Sequence, residues 1–202
     1  MSPRRVDSEA RRAEILGAAV RVFARKGFAA SRIEDVAIEA GIAKGSVYLA
    51  FDSREALLRA AFDEFAERSA TGLHRASNGH EPALDRLEHL IRAMLSMLTS
   101  EPELSRILLD LWTVGRDGGS GMPLDIAGVY ARYRSTIATL LAEAATDGAL
   151  RAELGESYAT VVVGVVEGCL LQWLIDPALP VSDLADTIID VCFNGLRSQE
   201  KS

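Results

Sequence analysis

The residues whose types and spacing point to chemistry lie between Ile33 and Phe51, in the run IEDVAIEAGIAKGSVYLAF. That chemistry is recognition. Two short helices are joined by a tight turn at Gly41, where glycine suits a left-handed backbone. Ala37 is small, so the second helix can cross closely over the first. Val36, Ala40, Ile42, Val47 and Ala50 supply the apolar contacts between them. This is the spacing of a helix-turn-helix, whose second helix enters the major groove of DNA. Lys44, Gly45 and Ser46 open that second helix, where side chains reach base edges and phosphates.

No other stretch offers a reactive constellation. His74, His80 and His89 form no helical pair with a carboxylate, and they read as solvated surface residues. No glycine-rich phosphate loop, GxSxG turn or zinc spacing is present. Cys169 and Cys192 read as two reduced, buried thiols with no adjacent base to activate them. The chain is therefore not expected to be an enzyme, and no catalytic residue, metal or cofactor is expected.

The elements that must position the helix-turn-helix read as all α. Ile15, Ala18, Ala19, Val22 and Phe23 make one apolar face of a helix from about Ser8 to Lys26, which Gly27 stops. Ser31 and Glu34 form a capping box that starts the next helix, which ends at Gly41. A short helix over Lys44–Ala50 follows. Asp52 and Ser53 cap a long one, from Arg54 to about Ala76. Further helices are expected near 82–99, 102–115, 123–147, 156–175 and 181–197. Pro82, Pro102 and Pro123 each open one of them. Gly118–Gly121 is the flexible loop between two of these. No strand-like alternation is found.

Length and charge set the frame. The 202 residues fit one ordinary domain or two small ones. The formal charge of −7 disfavours nucleic acid when taken whole. Residues 1–60, however, hold 11 Lys and Arg against 8 Asp and Glu, a balance of +3. Residues 61–202 hold 11 against 21, a balance of −10. A basic head on an acidic body directs one end toward phosphates. The break falls inside the long fourth helix, so two domains, 1–55 and 56–202, are expected to share it. The N-terminus lacks the apolar segment of a signal peptide. The apolar run 158–175 contains Glu167 and Gln172 and reads as a core or interface helix, so no membrane is expected.

The wider run RRAEILGAAVRVFARKGFAASRIEDVAIEAGIAKGSVYLAFDSREALLRAAFDEF resembles the DNA-binding domain of the TetR family of transcriptional regulators. The matching features are Ile15, Ala19, Phe23, Gly27-Phe28, Ser31, Asp35-Val36-Ala37, Ala40-Gly41-Ile42, Lys44 to Tyr48, Phe51 and Ser53 to Leu57. The resemblance covers about residues 10–60. It implies a dimeric, ligand-responsive regulator, with repression the expected sense; the alternatives are an activator of the same family or a helical small-molecule-binding protein without operator function. The partners implied are a palindromic double-stranded operator, a small-molecule effector and a second copy of the chain. Tyr48 resembles the family's phosphate-bonding tyrosine, and Leu49 would face an apolar base edge. Arg54, at a helix start, would meet phosphate. Arg32 and Ser31 would contact the DNA backbone, or serve only as a solvated charge and a cap. The chain departs from the family pattern at Ala43, Ala50 and Asp52, and the loss at Ala50 removes a usual phosphate contact.

In the family, the C-terminal helices hold a small-molecule pocket and a two-helix dimer face. Pocket candidates here are Met94, Met97, Leu98, Leu108, Trp112, Tyr130, Tyr133, Ile137, Val165, Glu167 and Trp173. Glu167 stands among apolar neighbours and needs a partner. That partner is either a cationic or hydrogen-bonding effector or a group across the dimer. Dimer candidates are Gly164 and Gly168 on one helix and Leu184, Ile188, Val191, Cys192 and Gly195 on the last.

Overall fold

A computed structural model describes residues 3–114, 124–151 and 154–194, and no strand occurs among them. The helices are α1 (Pro3–Lys26), α2 (Ile33–Glu39), α3 (Lys44–Tyr48), α4 (Arg54–Asn78), α5 (Ala83–Ser100), α6 (Pro102–Val114), α7 (Ile126–Thr146), α8 (Glu156–Ile175) and α9 (Val181–Asn194). The all-α expectation and the helix order hold. Pro123, Gly118–Gly121 and Gly195 lie outside the described residues.

The helix ends follow local chemistry. The Ser53 hydroxyl accepts the Ala56 N–H at 3.0 Å and caps α4. The Pro82 carbonyl accepts the first bond of α5, and Pro102 occupies the first position of α6, where its missing N–H costs nothing. Asp125 caps α7 by accepting the Gly128 N–H at 2.9 Å.

The chain divides into two compact units. One comprises Met1–Ala66 with Glu101–Leu124, and the other Glu67–Ser100 with Asp125–Ser202. This differs from a cut at residue 55: α4 runs on through the boundary, and α6 joins the N-terminal unit. In that unit α1 packs on α2 and α6, and α2 on α3. Ile15, Val22, Phe23, Val36, Val47 and Leu57 are fully buried there.

In the second unit α5 packs against α7, α8 and α9, α7 against α8, and α8 against α9. Leu87, Ile91, Ile137, Leu141, Val166 and Phe193 lie in its core, with Leu73 and Ala76 from the end of α4. Arg86 on α5 ties the bundle together. Its guanidinium donates to the Ala76 carbonyl at 2.8 Å and to the Glu81 carbonyl at 3.0 Å, and pairs with Glu143 on α7. α8 is long and apolar enough to cross a membrane by length and composition, but its Ala159, Val162, Val163, Val166 and Leu170 face the core of this bundle.

Candidate nucleic-acid interface

The helix-turn-helix forms as the spacing predicts. Gly41 takes φ +65° between α2 and α3. The Ile42 N–H reaches back to the Ala37 carbonyl at 3.0 Å and closes the turn. Val36, Ala37 and Val47 are buried at the crossing, so α3 is held by its inner side. Its outer side is left open. Lys44 and Gly45 are exposed, Ser46 is half-buried, Tyr48 is 46% exposed and Leu49 is 91% exposed. A side chain at Gly45 would meet nothing within 4 Å, so the small residue leaves clear space beside the start of α3. Ala43, at the N-cap of α3, supplies no side-chain bond.

The acids of α2 hold the bases around them. Glu34 pairs with Lys44, Asp35 with Lys26 at 2.6 Å, and Glu39 with Arg21 and Arg25 at 2.8 and 3.0 Å. Each carboxyl is held below its ordinary range, first by the hydrogen bond from its basic partner. Lys44 is correspondingly raised by Glu34. Its ammonium also lies 5.7 Å from the centre of the Tyr48 ring.

One sequence expectation is corrected here, and two of the expected contact residues are found bonded to the protein's own backbone. Ser31 does not cap α2: it is buried, and its hydroxyl donates to the Gly27 carbonyl at 2.6 Å. The cap shifts by one residue, because Asp35 competes for the same turn and accepts the Arg32 N–H at 3.0 Å. The Ser31 hydroxyl is thus committed and covered, whereas Arg32 is exposed. Arg54 is also committed. Its Nη1 donates to the carbonyls of Phe28, Ala29 and Ser31 at 3.0, 3.1 and 2.8 Å. Its guanidinium carbon stands 4.2 Å from the Phe28 ring centre, and Nη2 meets Glu55. Arg54 therefore builds the α1–α2 turn.

Sequence reasoning missed two positioning residues. Arg12 on α1 donates to the Ala50 carbonyl at 2.8 Å and lies 4.0 Å from the Phe51 ring centre, fixing the exit from α3. Asp110 on α6 accepts the Phe28 N–H at 2.7 Å. The apolar pattern carried no signal for either, since both act on backbone far away in sequence.

The effector candidates separate by burial. Met94, Tyr133 and Ile137 belong to the core of the second unit, and the Tyr133 hydroxyl bonds Ser69 at 2.9 Å. Met97, Leu98, Tyr130, Val165, Glu167 and Trp173 are half-buried. Leu108 lies on α6 in the first unit, and the Trp112 side chain lies outside the described residues. Glu167 Oε1 is buried without a hydrogen-bond partner. Desolvation pushes this carboxyl above its ordinary pKa, while a hydrogen bond from Tyr130 and the charge of Arg134 oppose the rise. Burial raises the Cys169 and Cys192 thiols, which keeps them protonated and poorly nucleophilic. Among the described residues no group of three His, Cys, Asp or Glu could hold a metal ion.

Two family descriptions match the chain. "Bacterial regulatory proteins, tetR family" covers residues 15–68, and "BetI-type transcriptional repressor, C-terminal" covers residues 83–194. The chain belongs to the TetR family. It is 23% identical over 189 residues to the nicotine-responsive transcriptional repressor HdnoR of Paenarthrobacter nicotinovorans, spanning 92% of this chain and 95% of the relative. The crystal structure of the MbdR regulator from Azoarcus sp. CIB matches with a TM-score of 0.76 and 24% identity, over 92% of this chain and 98% of that one. FadR of Bacillus subtilis, solved with stearoyl-CoA, matches with a TM-score of 0.72 and 21% identity, over 92% and 99%.

The residues expected on a dimer face of α8 and α9 differ in exposure. Gly164 is exposed and Gly168 half-buried, and a side chain at either would meet nothing within 4 Å. Val191 is 68% exposed, Leu184 and Cys192 are half-buried, and Ile188 turns into the core. Ile188 is therefore a packing residue of its own bundle. Val161, Leu171 and Ile175, also on α8, are exposed as well. A helix apolar on every side gave no sign of which side faces out.

Proposed function

We propose that this TetR-family regulator is a homodimeric repressor that reads a palindromic operator and is released by a small-molecule effector. The observation that carries the reading is the open side of α3. Lys44, Tyr48 and Leu49 stand exposed on a helix whose other side is locked by Val47. A charge, a phenol and an apolar tip on one short helix suit phosphate, backbone and base-edge contacts in a major groove. Two such helices in a dimer would read half-sites about 34–36 Å apart. The uncovered Val161, Leu171 and Ile175 with Gly164 on α8, and Val191 on α9, support pairing with a second copy.

We assign the effector to the α5–α9 unit, with Met97, Leu98, Tyr130, Val165, Glu167 and Trp173 as its wall. Two similar proteins support small-molecule control: one is nicotine-responsive, and another was solved with stearoyl-CoA. The protein would act in the cytoplasm, where its operator lies. The test is fluorescence anisotropy of the purified protein on DNA selected from a random pool and on its own upstream region. Salt-dependent, sequence-selective binding is expected, with two copies per site. Binding that ignores sequence would overturn the reading.

A further inference from the structure

We propose that Glu167 selects the effector by class: a protonated amine on an apolar body, whose N–H meets the carboxylate oxygen that the chain leaves without a donor. The proposal rests on the reading that a small molecule binds the α5–α9 unit, and it names what that molecule must carry. Its basis is one atom. Glu167 Oε1 is buried and has no hydrogen-bond partner. A buried acceptor without a donor costs free energy, and more so when it carries charge. That cost is recovered when a donor arrives.

The surroundings supply a bond and a charge, but neither meets Oε1. Tyr130 on α7 bonds the carboxyl, and Arg134, one turn further on, adds its charge. That charge is shared, because Arg134 Nε lies 3.7 Å from Glu156. Arg92, reaching over from α5, is paired with Asp186. Residues 156–194, which form α8 and α9, contain no Lys or Arg at all. Their carboxylates are Glu156, Glu167, Asp176, Asp183, Asp186 and Asp190. A second copy laid against these two helices brings the same acids and no base of its own from them. The field around Glu167 therefore favours a cation from outside the protein.

The geometry leaves a way in. Glu167 as a whole is only half-buried, although Oε1 is covered. The last torsion of a glutamate is broad and two-fold, so a turn of the carboxylate brings Oε1 to the accessible edge. Gly164 and Gly168 flank Glu167 on α8, and a side chain at either would meet nothing within 4 Å. They keep the approach clear. Val163 and Leu170, one turn before and after Glu167, are buried and apolar, so the effector next to its nitrogen is hydrocarbon. An alcohol brings a donor without charge, and a quaternary ammonium brings charge without a donor. A protonated amine brings both, in the stronger, charge-assisted bond.

The test is isothermal titration of the full-length protein, without DNA, against probes that share one carbon body: hexylammonium, hexyltrimethylammonium, hexanol and hexanoate. Hexylammonium should bind more tightly than each of the others by about tenfold, the worth of one charge-assisted bond. In Glu167→Gln that margin should vanish, with hexanol little changed. A margin that survives in Glu167→Gln, a trimethyl probe that binds as well as the amine, or no binding of the amine overturns the proposal. Light scattering on the same variant addresses the other occupant. A shift of Glu167→Gln from dimer to monomer assigns the carboxyl to the contact between copies, and that too overturns the proposal. If Glu167→Gln does not fold, Glu167→Asp carries the test. It keeps the charge but withdraws it by one methylene, so the margin should shrink; an unmoved margin is again fatal. Protein that selects no operator yet shows the margin loses only the repressor reading. Protein that binds its operator and shows no margin loses only this proposal.

Discussion

Glu34 on α2 bonds the ammonium of Lys44, the first residue of the recognition helix. The cation best placed for phosphate thus carries an acid at its side. Glu34→Gln removes that charge while keeping shape and polarity. Operator affinity should rise by about three- to tenfold, and the salt dependence should steepen, because Lys44 then meets phosphate without a competitor. Anisotropy titrations at several salt concentrations measure both effects, and an unchanged affinity would show that Lys44 leaves Glu34 without cost.

Tyr48 and Leu49 are exposed and support nothing in the core. Tyr48→Ala and Leu49→Ala should each weaken operator binding by about tenfold, the size of one good contact. The melting temperature should stay within a degree or two of wild type, as for surface substitutions generally. A large thermal loss at either position would contradict an outward role.

Arg54 behaves differently. Arg54→Lys keeps the charge but cannot present a planar fork to three carbonyls or stack on Phe28. Urea unfolding should show a loss of about 1–3 kcal/mol, with operator affinity falling as a consequence. Were Arg54 mainly a phosphate contact, stability would be unmoved.

Glu167 predicts a pH effect of definite sign. Its folded pKa is raised by desolvation, so its contribution to stability is fully present below the ordinary carboxylate pKa and is lost as pH rises through the raised value. Glu167→Gln removes that loss. The variant should melt higher than wild type at neutral pH, and the two should converge in acid. Thermal melts across the pH range decide it; equal melting points at neutral pH would mean that the charge is well solvated or paired.

Val161 and Val191 are exposed apolar side chains on α8 and α9. Val161→Arg together with Val191→Asp should convert the dimer to a monomer in light scattering. Operator affinity should fall by at least about a hundredfold, because the pairing of two half-sites is lost. A variant that stays dimeric would place the interface elsewhere.

Much of the architecture was legible because it is local. The apolar period of α1, the turn at Gly41 and the prolines that open α5 and α6 act within a few residues of themselves. Val47 and Leu49, two positions apart, were rightly separated into inner and outer sides of α3. Arg54, by its type and its place at a helix start, suits phosphate, while in the structure it also bonds carbonyls 23 to 26 residues earlier, partners that no local spacing reveals. Asp110 lies 82 residues from Phe28, and nothing in the spacing joins them. Ser31 and Asp35 both fit a cap, and tertiary burial of Ser31 decided between them. On α9 the stripe was broad, so only the packing of α5 and α8 fixed that Ile188 turns inward and Val191 outward.

The three acids of α2 have a consequence for life inside a genome. By pairing with Lys26, Lys44, Arg21 and Arg25 they lower the reading head's attraction for arbitrary DNA. A repressor must find one site among about a million or more wrong ones, and those decoys are held by charge alone. A head that clings weakly to decoys leaves them quickly. Few copies of the protein are then lost to the chromosome, and a small cellular pool suffices to keep the correct site occupied.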